Sequence, residues 1–101
     1  MAKGYMIFTQ DIRDGDGIGV YVRQPIPTIT QAGGRILVAD DTPEPVEGSW
    51  HGTRTVVLEF DSVEAARNWY GSPDYQGVVG LRHAAADSNA VIVAGFEMPP
   101  G

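Results

Sequence analysis

Apolar positions along the chain gather in four short runs rich in β-formers and recur near helical spacing in two longer ones. Tyr5-Met6-Ile7-Phe8-Thr9-Gln10, between Gly4 and Asp11, is rich in β-formers and predicts a first strand. Past Asp14-Gly15-Asp16-Gly17, the residues Ile18, Tyr21, Val22, Ile26 and Ile29 stand near helical spacing, predicting a helix over 18–31 that stops at Gly33-Gly34. Pro25 and Pro27 each remove a backbone donor and disfavour helical geometry in the preceding residue, so a kink or split is expected there. Strands are predicted at Arg35–Asp40 and Thr53–Asp61, joined by a long loop holding Pro43, Pro45 and Gly48.

Asp61 or Ser62 is the expected N-cap of a helix through Val63, Ala66, Trp69 and Tyr70, with Glu64 in its first turn and Gly71 as its stop. Ser72 as N-cap, Pro73 at the first helical position and Asp74 in the first turn start a second helical piece. In that piece Tyr75, Val78, Val79 and Arg82 share one face. Ala90–Phe96 predicts the last strand, and residues 97–101 read as a tail. The order strand, helix, strand, strand, helix, strand predicts an α+β fold, a ferredoxin-like βαββαβ sandwich with two helices on one face of a four-stranded antiparallel sheet. Yet Val56-Val57-Leu58, Ile36-Leu37-Val38-Ala39 and Val91-Ile92-Val93-Ala94 are apolar at both parities, which predicts cover on both faces. With the helices on one face, a second copy of the chain across a two-fold axis is the expected cover of the other.

The 101 residues suit one domain, 1–101. A net charge of −6 with seven scattered Lys and Arg residues argues against nucleic acid and anionic lipid as partners. Without cysteine, disulfides, thiolate metal sites and cysteine nucleophiles are excluded. The N-terminal residues carry no apolar leader and no stretch is long enough to span a bilayer, so a soluble cytoplasmic protein is expected.

Gly4-Tyr5, Gly33-Gly34-Arg35, Val46-Glu47-Gly48, Trp50, Glu59-Phe60, Trp69-Tyr70, Ser72-Pro73-Asp74-Tyr75-Gln76 and Leu81-Arg82 together resemble the domain-of-unknown-function 1330 family. The resemblance covers nearly the whole chain. It implies a sheet-to-sheet homodimer, a dimeric α+β barrel with helices outside, and no established activity. In the wider superfamily it points to cofactor-free monooxygenases and to enzymes acting on small aromatic or chlorinated compounds. Gly15, Gly17, Gly19, Pro25 and Pro27 depart from the family pattern and put any ligand contact from the first helix in doubt.

The strongest candidate for ligand binding is the aromatic and cationic group Tyr5, Tyr21, Trp69, Tyr75 and Arg82, placed by this fold in the cleft between sheet and helices. Arg82 would hold a carboxylate or enolate oxygen and the tyrosine hydroxyls would orient it. The competing reading makes Trp69 and Tyr75 core anchors and Arg82 a cap or ion-pair partner at its helix end.

His51 and His83 titrate in the range of a general base but stand in no supporting motif: His51 reads as an exposed loop residue and His83 as a helix-dipole partner. No metal-ligand spacing occurs; Asp11 to Gly17 fails the calcium-loop pattern because Arg13 takes a ligand position. The glycines at 15, 17 and 19 lack the lysine of a phosphate loop, and no serine sits in a Gly-x-Ser-x-Gly turn. Glu59, at the parity opposite Leu58 and Phe60, is expected to face away from the helices and to need Arg35 or Arg54 as partner. These residues leave three functions open: a cofactor-free enzyme acting on a small organic acid or aromatic, a binding module without turnover, and a purely homo-oligomeric structural protein.

Overall fold

The computed structural model describes residues 2–99, and in it the four strands and the helices follow the expected order. Strand β1 spans Gly4–Ile12, β2 Arg35–Asp40, β3 Arg54–Phe60 and β4 Ala86–Ala94. They form one antiparallel sheet in the order β2-β3-β1-β4, a ferredoxin-like arrangement, with a bulge in β2 between Ile36 and Val38.

The first helical region is split as the prolines require. Helix α1 (Gly15–Val22) is capped by Asp14, whose carboxylate accepts from the Gly17 amide, and α2 (Ile26–Gln31) begins immediately after Pro25. Helix α3 (Val63–Tyr70) is capped by Ser62, whose hydroxyl accepts from the Ala65 amide at 3.0 Å, and it ends at Gly71. Ser72 caps α4 (Pro73–Gln76) through the Tyr75 amide.

Two expectations need correction. The helical piece after Ser72 is not continuous: it breaks at Gly77 and Val78 and resumes as α5 (Val79–Ala85). Glycine is the costliest ordinary residue in a helix interior, and Gly77 becomes the C-cap of α4 instead. The last strand starts at Ala86 rather than Ala90 and ends at Ala94, because the ladder with β1 runs from Gly4 opposite Ala94 to Ile12 opposite Ala86. Ladder hydrogen bonds carry Asp87, Ser88 and Asn89 into a strand against their own preference. Phe96 then lies outside the sheet and exposed; of the expected tail, residues 100 and 101 lie outside the described residues.

Alternation along the strands sorts the side chains. Met6, Phe8 and Gln10 of β1 and Leu58 and Phe60 of β3 are buried against the helices, where they meet Ile18, Tyr21, Ile29, Ala66, Trp69, Tyr75 and Val79. The opposite face carries Tyr5, Ile7 and Thr9 with Val57, Glu59, Val91 and Val93, half-buried to exposed, with Val91 at 51%. Among the described residues, no helix is long and apolar enough to cross a membrane.

Candidate ligand-binding site

Between the sheet and helices α1, α2 and α3 lies a cavity of about 190 Å³. Its walls are mostly apolar, from Phe8, Leu58, Ile29 and Ile36, with Trp69 and Tyr21 closing one side. That volume is slightly larger than the ~150 Å³ apolar cavity that accepts benzene, so the space suits one ring and a small substituent.

One end of the cavity is polar for a reason the ladders make plain. Gln10 stands opposite Arg54 on β3 and opposite Ser88 on β4, so Arg54, Gln10 and Ser88 form a single row across the helix-facing side of the sheet. Gln10 and Arg54 both line the cavity. Ser88 is tied to α5 by a hydrogen bond of 2.5 Å from Arg82 Nη1. Arg82 is 2% exposed, its guanidinium 5.0 Å above the Phe8 ring, and no ion pair among the described residues includes it. Three buried side-chain atoms among the described residues lack a hydrogen-bond partner: Gln10 Oε1, Arg54 Nε and Arg82 Nε. All three belong to this row or are bonded to it. Buried polar atoms are normally satisfied, so the orphans of Gln10 and Arg54 on the cavity wall, with Arg82 Nε behind it, set that end apart from the apolar walls.

The expected aromatic group is assembled in part. Tyr21 and Tyr75 share a buried hydrogen bond of 2.8 Å between their hydroxyls. Burial pushes the Tyr21 hydroxyl far above the usual tyrosine range, the neighbouring Tyr75 adds to this, and the Arg82 guanidinium opposes it. The Tyr21 phenol is therefore a neutral hydrogen-bonding group at physiological pH. Trp69 stacks on Tyr75 with ring centroids 4.2 Å apart and donates Nε1–H to the Thr28 hydroxyl at 3.0 Å. Tyr21 and Trp69 reach the cavity; Tyr75 and Arg82 stand behind its wall.

A family model described as a domain of unknown function (DUF1330) matches residues 3–96. The chain belongs to this family. A search of curated proteins finds no match. Among solved structures, the DUF1330 chain resembles a protein of unknown function from Rhodopseudomonas palustris at 19% identity and TM-score 0.78, over 96% of this chain and 85% of that one. It also resembles SnoaB, a cofactor-independent oxygenase from Streptomyces nogalater, at 9% identity and TM-score 0.72 over the full length of both. A dimeric ferredoxin-like protein of unknown function from Thermobifida fusca matches at 14% identity and TM-score 0.55, over 92% of this chain and 91% of that one. At these identities the likeness is one of fold.

In the DUF1330 protein Tyr5 does not join the other four candidates, because β1 alternation turns it to the open face. There it donates to Glu59 Oε2 at 2.9 Å, and Arg35 donates to the other oxygen of the same carboxylate. Glu59 thus faces away from the helices as its parity requires. Its partner is Arg35; Arg54, the other candidate, is on the cavity side and lies beside Asp41. The hydrogen bond from Tyr5 is the main cause holding the Glu59 carboxyl below its ordinary range, helped by Arg35 and opposed by desolvation; the same bond raises the Tyr5 hydroxyl.

His51 is tethered rather than free, with Nδ1 2.8 Å from the Thr9 hydroxyl and Nε2 3.7 Å from Asp87. Gly52 holds the loop there: its φ is +79° and a Cβ would strike the Gln10 carbonyl. His83 is exposed in the last turn of α5, where a dipole partner belongs. No group of three or more His, Asp or Glu side chains that could hold a metal occurs among the described residues.

Gln10 and Arg54 are cavity residues that reading by residue type did not select. The signal was present in parity: Gln10 continues the Gly4, Met6, Phe8 series and Arg54 the Val56, Leu58 series, each a polar residue at a core position.

Proposed function

We propose that this DUF1330 protein binds a small organic anion or small aromatic, one ring in size, in the cavity between sheet and helices, and that it does so as a homodimer packed through the open face of its sheet. The observation that carries the ligand reading is the pair of under-satisfied polar groups, Arg54 and Gln10, at the end of an otherwise apolar cavity. Apolar walls would hold the ring by exclusion of water, and the pair would fix its oxygen with charge-assisted hydrogen bonds. The dimer reading is supported by the exposed apolar positions Val38, Val91 and Val93 on that face and by the dimeric Thermobifida fusca relative. Turnover without a cofactor is the further part of the reading. Its support is the fold shared with SnoaB, together with a buried, hydrogen-bonded tyrosine pair and a nearby guanidinium able to stabilise an oxyanion.

The test is a thermal-shift panel of benzoate, phenol, cinnamate and their neutral amides or ethers, with each compound recovered and weighed by mass spectrometry. Stabilisation by at least one anionic or phenolic compound is expected. No shift with any compound would overturn the binding reading and leave the cluster as core. A compound that stabilises and is recovered unchanged in air over many hours would leave a binding module and remove the enzyme.

A further inference from the structure

Arg54 already has an anion beside it. Asp40 closes a turn by accepting from the Thr42 amide at 2.9 Å, and Asp41, held in that turn at the end of β2, places Oδ1 2.8 Å from Arg54 Nε. The two side chains differ sharply: Arg54 is 19% exposed and lines the cavity, whereas Asp41 is 71% exposed and stands outside it. Although close, the carboxylate does not receive a hydrogen bond from Nε, so the N–H is not aimed at it. This is a weakly held ion pair whose anionic half returns to water at small cost. It also gives a counter-charge to a mostly buried guanidinium, which without one would be strongly destabilising.

We propose that Asp41 is the internal stand-in for a ligand carboxylate at Arg54, so that the cavity selects single-ring carboxylic acids by exchanging one carboxylate for another. This rests on the cavity being a ligand site. An acid entering from the cavity side meets Arg54 together with its cross-strand neighbour Gln10, whose side-chain amide can turn its Nε2–H donor, rather than its Oε1 acceptor, toward the carboxylate. A side-chain amide and a guanidinium in one row offer two donors to the two oxygens of a carboxylate, which the outlying Asp41 cannot use. Neutral rings would enter without disturbing the pair.

Benzoate and benzamide, titrated against Trp69 fluorescence in the full-length protein, test this. Asp41→Asn is expected to tighten benzoate by up to about fivefold, the worth of an exposed ion pair, and to leave benzamide unchanged. Its ligand-free melting temperature is expected to fall or hold, so stability and affinity move in opposite directions, which a merely structural Asp41 would not produce. Asp41→Glu should restore wild-type behaviour, and Arg54→Gln should weaken benzoate at least about tenfold while sparing benzamide. Asp41→Ser serves as a second variant removing the same charge. If benzoate binds the wild type and neither Asp41→Asn nor Asp41→Ser tightens it, the exchange is overturned while the cavity reading stands. If neither probe binds any variant, the cavity reading falls and this inference with it.

Discussion

Replacing Gln10 by leucine separates a site from a core more sharply than any other single change. Gln10 is 3% exposed and its Oε1 has no partner, an arrangement that costs roughly 1–3 kcal/mol relative to a satisfied or apolar side chain. Leucine has similar size, and its neighbours Phe8, Val56 and Tyr21 already line the adjoining cavity, so it adds apolar contact without a new polar debt. Gln10→Leu is therefore expected to stabilise the ligand-free protein by about 1–2 kcal/mol after some loss to imperfect packing, a rise of roughly 4–15 °C in melting temperature for a chain of this size. Calorimetry at fixed protein concentration, so that any self-association contributes equally to both proteins, reads the change. The same variant should lose the extra stabilisation that benzoate gives the wild type. A stability–function exchange of this kind is the signature of a binding group kept at the expense of packing. A drop of more than about 1 kcal/mol in Gln10→Leu would mean that the amide is satisfied and structural, and would refute the reasoning.

Tyr75→Phe deletes one half of the buried hydroxyl pair and leaves Tyr21 unsatisfied, so a loss of about 1–3 kcal/mol is expected, whereas Tyr21→Phe with Tyr75→Phe should recover most of it in a double-mutant cycle by denaturant unfolding. Because the folded Glu59 carboxyl lies below its unfolded range, its contribution is present above the unfolded value and lost as pH falls through the folded one. Melting curves from about pH 6 to pH 3 should show Glu59→Gln to be less sensitive to acid than the wild type, and an identical slope would remove Glu59 from the account. Val91→Lys places a charge on the open apolar face and should shift sedimentation towards the monomer, while a wild type that sediments as a monomer throughout sinks the dimer.

Much of the fold was legible because local chemistry and global architecture agree. Ser62, Ser72 with Pro73, Gly71, and the prolines at 25 and 27 punctuate the chain where the helices begin, end and split. What failed did so where a long-range contact overrides a local preference. The ladder with β1 draws Asp87, Ser88 and Asn89 into β4, and no propensity argument anticipates pairing with a strand eighty residues earlier. The site was legible by residue type only in part. Tyr21, Trp69, Tyr75 and Arg82 come together, but Tyr5 was grouped with them as an aromatic when its parity already turned it away. Gln10 passed unremarked and Arg54 was considered only as a partner for Glu59, because neither belongs to a recognised motif, although each breaks the apolar series of its own strand.

The two faces of the sheet show why the polar row is not general looseness. On the open face the cation Arg35 has a hydrogen-bonded counter-charge, sharing the Glu59 carboxylate with the Tyr5 hydroxyl. On the helix-facing side, in a protein carrying six excess negative charges, Arg82 meets a serine, the face of a phenyl ring and the His83 ring at 3.4 Å, and Arg54 an exposed and misaligned carboxylate. A chain with carboxylates to spare could pair both cations from within, as it does for Arg35. Desolvation penalises a buried guanidinium wherever it lies, so under-pairing confined to the cavity end is where an incoming anion gains most. The same logic assigns the two arginines different tasks. On the proposed reading, Arg54, at the cavity wall, would exchange carboxylates, and Arg82, behind the wall, would keep the potential positive without touching what binds.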